Sequence, residues 1–268
     1  MQWPEALFLG ILQGLTEFLP ISSTAHLRIV PHYLGWDDPG TAFSAVIQLG
    51  TLISVLFYFS DDIRRLIVAI LKSLKHRNIG HSEESLMAWA IASGTLPIGI
   101  LGLSFREFIE TEARSLTLIG TSLIILAIGL MIAERVGRKR KKMHDLSFWN
   151  IQCIGFCQAL ALIPGCSRSG STIMGGLLVG LERNEATRFS FLLGLPAISA
   201  SGLLELNNLI TNGLGQQATT NLLVGIIAAA ASGYFAIGFL LRFISKYGTD
   251  AFSIYRILIG IAIIYNTW

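Results

Sequence analysis

The chain has 268 residues, of which 52% are hydrophobic and only 14% are charged, and its mean hydropathy is +0.61. A soluble domain carries about 25% charged residues, so this composition excludes an ordinary soluble protein. The net charge of +3 comes mostly from loops and therefore indicates membrane topology rather than nucleic-acid binding. We expect an all-α protein that crosses a membrane several times.

Polar residues interrupt the first apolar segment. Short apolar stretches cover 6–19 and 25–34, and the sequence QGLTEFLPISSTAH, residues 13–26, joins them. A helix of about ten residues is ~15 Å long, half of a ~30 Å hydrocarbon core. The two stretches are therefore predicted to form a re-entrant pair, which enters and leaves on the same side. Non-helical backbone at that depth must lie inside protein or beside a water-filled cavity.

Glu17 is the ionisable residue of this first break, and Gln13 lies one turn earlier on the same helix face. Ionisable groups within apolar segments are costly and indicate function, with a partner nearby. A carboxylate here could bind a divalent cation or act as a base.

Hydroxyl groups and one imidazole follow Pro20 in the first break. Ser23 and His26 are three residues apart, which in one helical turn suits a nucleophile and its base. Ser22 and Thr24 could line the same pocket, or could only satisfy backbone groups freed by the break. His26 could likewise be a polar bridge without a chemical role.

Long apolar runs and basic loops predict the topology of the first half. The apolar runs are 86–103 and 116–133. The basic stretches 61–84 and 134–142 flank them, and the positive-inside rule places both in the cytoplasm. Apolar residues recur at helical spacing within 61–84, which predicts a helix lying in the membrane interface.

The second break resembles the first but carries a guanidinium. Apolar stretches cover 148–163 and 173–181, and the break between them lies within the sequence QALALIPGCSRSGST, residues 158–172. Five polar residues lie before or within the first turn of a helix predicted to begin near Gly170: Ser167, Arg168, Ser169, Ser171 and Thr172. Free N–H groups and the helix dipole at such a terminus favour an anion, and an arginine can clamp phosphate oxygens.

The same order of elements occurs in both halves. Phe43-Ser44 and Phe189-Ser190 each head a long apolar span after a break. The remaining apolar runs are 189–206, 222–241 and 251–265. We predict a single integral membrane domain, residues 1–268, in which halves 1–134 and 146–268 form an inverted-topology repeat joined by the basic loop. It would have six full transmembrane helices and two re-entrant broken-helix pairs, whose tips meet near the midplane.

An acid, an imidazole, hydroxyls and a guanidinium around an anion site suit phosphoryl transfer. Glu17 and Arg168 could instead form only a structural ion pair. A secondary transporter or lipid flippase is the alternative function, because broken helices in inverted repeats are a transporter design. A structural membrane subunit would leave the arginine and hydroxyls unexplained. Glu205 and Arg256 are expected near span ends, with their charged groups reaching the interface.

The two breaks resemble the signatures of one family. Residues 13–26 are similar to the first signature of the undecaprenyl pyrophosphate phosphatases of the bacitracin-resistance type, with an E/Q-x-x-x-E pattern in which Gln13 is the neutral choice. Residues 164–172, PGCSRSGST, are similar to the second signature, P-G-x-S-R-S-x-x-T. The resemblance covers nearly the whole chain, including its length, the order of spans and the basic central loop.

The resemblance implies a metal-assisted phosphatase of the bacterial inner membrane, with its site toward the outer face. The substrate would be a polyprenyl pyrophosphate lipid, the cofactor a divalent cation such as Mg²⁺ or Ca²⁺, and the assembly a homodimer among membrane lipids. Glu17 would bind metal and take part in catalysis, with Ser23 or His26 as nucleophile or acid and base. The group that holds the diphosphate would be Arg168 with Gln13, Ser22, Thr24, Ser167, Ser169 and Thr172.

Overall fold

The computed structural model describes residues 1–267, and its regular structure is helical. The helices are α1 Trp3–Phe18, α2 Ser23–Leu34, α3 Gly40–Tyr58, α4 Ser60–Lys75, α5 Glu83–Gly94, α6 Leu96–Ser104, α7 Arg106–Glu110, α8 Leu116–Val136, α9 Phe148–Ala159, α10 Arg168–Leu178, α11 Arg183–Thr211, α12 Gln216–Tyr247 and α13 Asp250–Thr267. Three single 3₁₀ turns occur at Glu112–Arg114, Met143–Asp145 and Leu160–Leu162.

Five helical segments of the described chain are long and apolar enough to cross a membrane: Gly40–Tyr58, Glu83–Ser104, Leu116–Val136, Arg183–Thr211 and Gln216–Tyr247. The predicted class, an all-α protein that crosses a membrane several times, is therefore confirmed. The sixth predicted span forms the helix α13, which is not among these five and begins with a charged residue, Asp250. Six full spans thus stay a prediction.

The segment Glu83–Ser104 is not one continuous helix, although the apolar run predicts a single span. It divides into α5 and α6 at Thr95, and Pro97 lies in the first turn of α6. Proline is tolerated in a first turn, where its missing N–H has no helical acceptor to lose. The signal for this division was therefore present in the sequence.

Each helix that precedes a break packs along helices of the other half. Helix α1 lies along α12 of the second half, while α9 lies along α5 and α6 of the first half. The approach of α1 to α12 is close: a Cβ atom added at Gly10 would lie 2.5 Å from the Gly225 carbonyl oxygen. Small residues let membrane helices approach in this way. The two breaks are thereby held within the protein, as non-helical backbone requires.

The basic end of the molecule is organised around Glu134, at the end of α8. Its Oε1 accepts hydrogen bonds from Arg183 Nε at 2.7 Å and Lys139 Nζ at 2.8 Å. Its Oε2 accepts from the Thr249 hydroxyl at 3.0 Å, in the turn between α12 and α13. The central basic loop, the start of α11 and the end of α12 therefore lie on one face.

Candidate active site

The two breaks meet at the Glu17 carboxylate, which is only 6% exposed in the last turn of α1. Oε1 accepts a hydrogen bond from Arg168 Nη2 at 2.9 Å. Oε2 accepts from Gln13 Nε2 at 2.8 Å and from the Ser23 hydroxyl at 2.6 Å. Hydrogen bonds to an ionised group are short and strong, so this carboxylate links α1, α2 and α10. The expectation that the polar groups of the two breaks come together is confirmed.

Both breaks end in the same backbone device. Ser22 and Ser167 precede α2 and α10 with positive φ angles of 75° and 66°, which are uncommon for residues other than glycine. Each hydroxyl oxygen accepts a hydrogen bond from a backbone N–H in the first turn, of Ala25 at 3.4 Å and of Gly170 at 3.1 Å. Ser22 and Ser167 are thus helix caps. The caps place the next residues, Ser23 and Arg168, beside Glu17.

Hydroxyl groups further along the second break brace it from inside. Ser169 and Thr172 are fully buried. The Ser169 hydroxyl donates to the Leu19 carbonyl at 3.1 Å, which ties the second break to the first. The Thr172 hydroxyl donates to the Arg168 carbonyl at 2.8 Å and is hydrogen-bonded to the Ser190 hydroxyl of α11. These two residues therefore position the arginine and are not open to a ligand in this conformation.

The guanidinium of Arg168 passes over a glycine of α11. A Cβ atom added at Gly194 would overlap the guanidinium. The absence of a side chain at Gly194 therefore makes the space through which Arg168 reaches Glu17.

His26 does not pair with Ser23, although their spacing suggested a nucleophile with its base. Its Nδ1 lies 2.7 Å from the Ser22 carbonyl oxygen, which can only accept, so Nδ1 carries a proton. Nε2 lies 2.7 Å from the Tyr255 hydroxyl, and the two rings stack at a centroid distance of 5.7 Å. In the neutral imidazole, Nε2 therefore accepts the tyrosine proton. The structure pairs the Ser23 hydroxyl with Glu17 instead, and Thr24 lies partly buried one residue further along α2.

The prediction that the charged group of Arg256 reaches the membrane interface is wrong, because this side chain is fully buried. The guanidinium donates to the carbonyl of Pro20 at 3.1 Å in the first break. It also donates to the carbonyls of Gly165 at 2.9 Å and Cys166 at 3.2 Å in the second. Broken helices leave carbonyls without helical partners, and a guanidinium has five N–H donors to satisfy them. By contrast, Glu205 lies near the end of α11 and pairs with Arg106 Nη2 at 2.9 Å.

Tyr255, Arg256 and Gly194 were missed as site residues by sequence reasoning. An arginine in an apolar run is a signal, but its partners are backbone groups, which no motif encodes. Nothing in the sequence around Tyr255 or Gly194 distinguishes them from packing residues.

Gln13 and Glu17 have the chemistry to hold a divalent cation. Gln13 is fully buried, and its Oε1 has no hydrogen-bond partner. Mg²⁺ is commonly bound by one or two protein oxygens, with water and substrate phosphate completing its shell. Among the side chains that the structure describes, no group of three His, Cys, Asp or Glu clusters in a metal-binding arrangement. The donor set therefore fits a cation shared with a phosphate ligand.

Comparison with known proteins identifies the family to which the chain belongs. Residues 6–262 match the family described as Bacitracin resistance protein BacA. The chain belongs to this family of membrane proteins. It is 49% identical to an undecaprenyl-diphosphatase of Chloroherpeton thalassium, over 96% of this chain and 94% of that protein. It is 48% identical to one of Myxococcus xanthus, over 97% of this chain and 87% of that protein. An undecaprenyl-diphosphatase 2 of Streptomyces avermitilis is 44% identical, over 98% of this chain and 94% of its own. The resemblance to this family is confirmed, and the matched region includes both breaks.

Proposed function

We propose that this chain hydrolyses undecaprenyl pyrophosphate to undecaprenyl phosphate and inorganic phosphate, which recycles the lipid carrier of peptidoglycan synthesis. The observation that carries this proposal is the convergence of Arg168 and Ser23 on Glu17, at the meeting point of the two breaks. The identity to named undecaprenyl-diphosphatases along nearly the whole chain supports it. Those names favour the phosphatase over the transporter or flippase that broken helices also fit.

In the proposed reaction, Ser23 is the nucleophile and Glu17 is its base. The hydroxyl proton already points at Glu17 Oε2 across 2.6 Å, which is within transfer distance. The proton passes to the carboxylate as Ser23 Oγ attacks the terminal phosphorus, and undecaprenyl phosphate leaves. Water then hydrolyses the phosphoserine, which releases inorganic phosphate and restores the hydroxyl. Splitting one difficult step into two is the usual benefit of covalent catalysis.

Arg168 is proposed to bind the diphosphate oxygens, because its planar fork matches phosphate geometry. The first turns of α2 and α10 add backbone N–H groups and positive dipole ends on the same side. His26 is then a positioning residue, since both ring nitrogens are engaged by Ser22 and Tyr255. The direct ligand roles expected for Ser22, Ser167, Ser169 and Thr172 become capping and bracing roles.

A divalent cation, Mg²⁺ or Ca²⁺, would be held by Glu17 and by the partnerless Oε1 of Gln13. When bound, it would neutralise part of the diphosphate charge, which otherwise opposes entry into a buried pocket. Arg168 offsets a further part of that charge from the chain itself.

We also propose that halves 1–134 and 146–268 are inverted repeats with re-entrant pairs at α1–α2 and α9–α10. The matched serine caps with positive φ support this, as do the equivalent positions of Ser23 and Arg168. The basic loop would then face the cytoplasm, and the pocket would open toward the outer side of the inner membrane. The lipid tail stays in the bilayer while the diphosphate reaches water. A homodimer remains an expectation from the family resemblance.

The decisive experiment measures inorganic phosphate release from a polyprenyl pyrophosphate by the purified protein in detergent, with and without chelator. Arg168→Ala is expected to lower turnover by a factor on the order of 10² to 10³, as removal of a charge-stabilising donor does elsewhere. Arg183→Ala is the matched control, because it removes an arginine from the other buried carboxylate, Glu134. Equal activity of the two variants would remove Arg168 from the site. No release by folded wild-type protein would refute the phosphatase, and a lipid-flip assay in vesicles would then test the alternative.

The nucleophile is assigned by comparing Ser23→Ala with His26→Ala in the same assay. Ser23→Ala should abolish both turnover and the trapping of a phosphorylated enzyme, while His26→Ala keeps a reduced rate. A Ser23→Ala protein that still turns over, beside an inactive His26→Ala protein, would make His26 the essential group.

A further inference from the structure

A groove of about 880 Å³ lies on the outside of the C-terminal half of α12, where Tyr58 of α3 faces it. Its body is aromatic, and its end carries two cations, Arg242 and Lys246. None of its lining residues belongs to the site around Glu17. The proposed phosphatase reaction therefore does not account for it.

The helical spacing of α12 produces the shape of the groove. Phe235, Phe239, Phe243 and Tyr247 recur every fourth residue and so lie on one face of the helix, where ring contacts join the last three. The neighbouring row has a gap at Gly238, where an added Cβ atom would lie 3.6 Å from the Tyr58 hydroxyl oxygen. The floor of the groove is thus open because this row has no side chain at its centre.

The groove continues along the same helix face toward the middle of α3. Tyr234 lines it and also lines a second, apolar groove of about 680 Å³. Ile53 and Phe57 of α3 and Ile227 of α12 form walls of this second groove. Together the two grooves make an apolar track that begins beside two positive charges.

The two cations at the end of the track have no acidic partner. Arg242 and Lys246 are both exposed, and neither forms an ion pair with any residue in the described chain, 1–267. Lys246 Nζ lies 5.0 Å from the centre of the Tyr247 ring. Other arginines at this end are neutralised, Arg183 by Glu134 and Arg188 by Asp62. Two positive charges without an acidic partner therefore lie at the end of the groove.

We propose that this groove is a binding site for an anionic phospholipid. The headgroup phosphate lies between Arg242 and Lys246, and an acyl chain passes over Gly238 and follows the apolar track beyond Tyr234. A positive end joined to a long apolar track is complementary in charge and in shape to such a lipid. The site lies on the face of the basic central loop, since Thr249 and Glu134 join α12 to that loop. That face is predicted to be cytoplasmic, where juxtamembrane cations attract anionic lipids.

The test is native mass spectrometry of the full chain in a neutral detergent, titrated with phosphatidylglycerol or with phosphatidylcholine of the same acyl chains. Phosphatidylglycerol is expected to bind more tightly. R242Q/K246Q should weaken its binding about 25-fold, from roughly fivefold for each cation. R138Q/R140Q is the matched control, because it removes two exposed cations from the same face outside the groove. Gly238→Leu keeps both charges but fills the floor, and should also weaken binding.

Each alternative result would overturn the proposal in a recognisable way. Equal binding of the two lipids would mean that the groove does not discriminate between an anionic and a zwitterionic headgroup. Equal loss in both double variants would mean a diffuse surface effect rather than a site. A dimer that Gly238→Leu dissociates, with no bound lipid, would assign the groove to a second copy of the chain. Phosphate release is measured in parallel, so a failure here leaves the proposed reaction tested separately.

Discussion

Glu17 and Glu134 are both buried carboxylates, but their surroundings differ in kind. Glu134 is 5% exposed and is bound by two cations, Arg183 and Lys139, and by the Thr249 hydroxyl. Glu17 is 6% exposed and has one cation, one amide and one hydroxyl, with the hydroxyl oxygen only 2.6 Å away. Two cations compensate the charge of Glu134, whereas Glu17 has a single cation and a closer hydroxyl.

The difference supports a structural role for Glu134 beside the catalytic role proposed for Glu17. Both carboxylates have a hydroxyl donor within hydrogen-bond distance, but the Ser23 hydroxyl is 2.6 Å from Glu17 whereas the Thr249 hydroxyl is 3.0 Å from Glu134. Glu134 contacts the end of α8, the basic loop and the α12–α13 turn, and so fastens elements together. Glu17 contacts both breaks, at two helix N-termini that can accept an anion.

The sharpest test exchanges each carboxylate for an amide. Glu17→Gln should lower the rate of phosphate release by a factor on the order of 10² to 10⁴, the usual contribution of a general base. It should also reduce the response to added divalent cation. Glu134→Gln should keep its activity per folded molecule. Both are measured by phosphate release after size-exclusion chromatography, and the comparison fails if the two variants lose activity equally.

Gly194→Ala tests whether the placement of Arg168 matters as much as its charge. The added methyl group would displace the guanidinium from Glu17, and misplacement by about 1 Å can cost on the order of 100-fold in rate. Gly99→Ala is the control, because a Cβ atom there meets nothing within 4 Å. Steady-state kinetics with folded protein decide the matter, and an unchanged kcat/KM for Gly194→Ala would contradict this account.

Arg183→Ala should act on stability rather than on turnover. It removes one hydrogen bond and the ion pair with Glu134, but Lys139 and Thr249 remain, and the arginine side chain is 36% exposed. We therefore expect a loss of about 1 kcal/mol in the free energy of unfolding. Thermal unfolding in detergent measures this change. A large fall in activity at constant stability would mean that the two carboxylates are coupled.

The smallest expected effect on stability is that of Asp38→Asn, which removes a carboxylate near the surface. Burial acts to raise its pKa, but hydrogen bonds from Arg114 and the Gly40 N–H, with the charges of Arg114 and Arg28, hold that pKa below its ordinary 3.8. A lowered folded-state pKa stabilises the protein above about pH 3.8, and this stabilisation is lost as the pH falls through the folded-state pKa. Asp38→Asn should cost about 0.5 kcal/mol at neutral pH and flatten the acid limb of the stability curve. An unchanged acid limb would contradict the assignment.

The sequence predicted where the two breaks lie and that their charged residues need partners, because both features depend on local signals. Pro20 and Pro164 end apolar stretches, and the serines that follow them are helix caps in the structure. The charges of Glu17 and Arg168 within apolar surroundings predicted that each needs a partner. Their mutual ion pair satisfies that need.

The contacts that complete the site depend on tertiary structure and could not be predicted. Arg256 serves carbonyls of both breaks, which are brought together only by the packing of α13. Tyr255 reaches His26 from a helix more than two hundred residues away in the chain. The pairing of Ser23 with Glu17 rather than with His26 depends on how α1 meets α2, which the spacing within α2 does not reveal.

The bond between Arg168 and Glu17 has a consequence for selectivity. In the proposed reaction, the substrate must displace a glutamate that holds the arginine with a single negative charge. An ordinary phospholipid with one charge on its phosphodiester would gain nothing by that exchange. A terminal diphosphate, with more charge and more oxygens, would compete for the arginine more strongly. The ion pair would thereby favour the diphosphate over the other phospholipids of the same membrane.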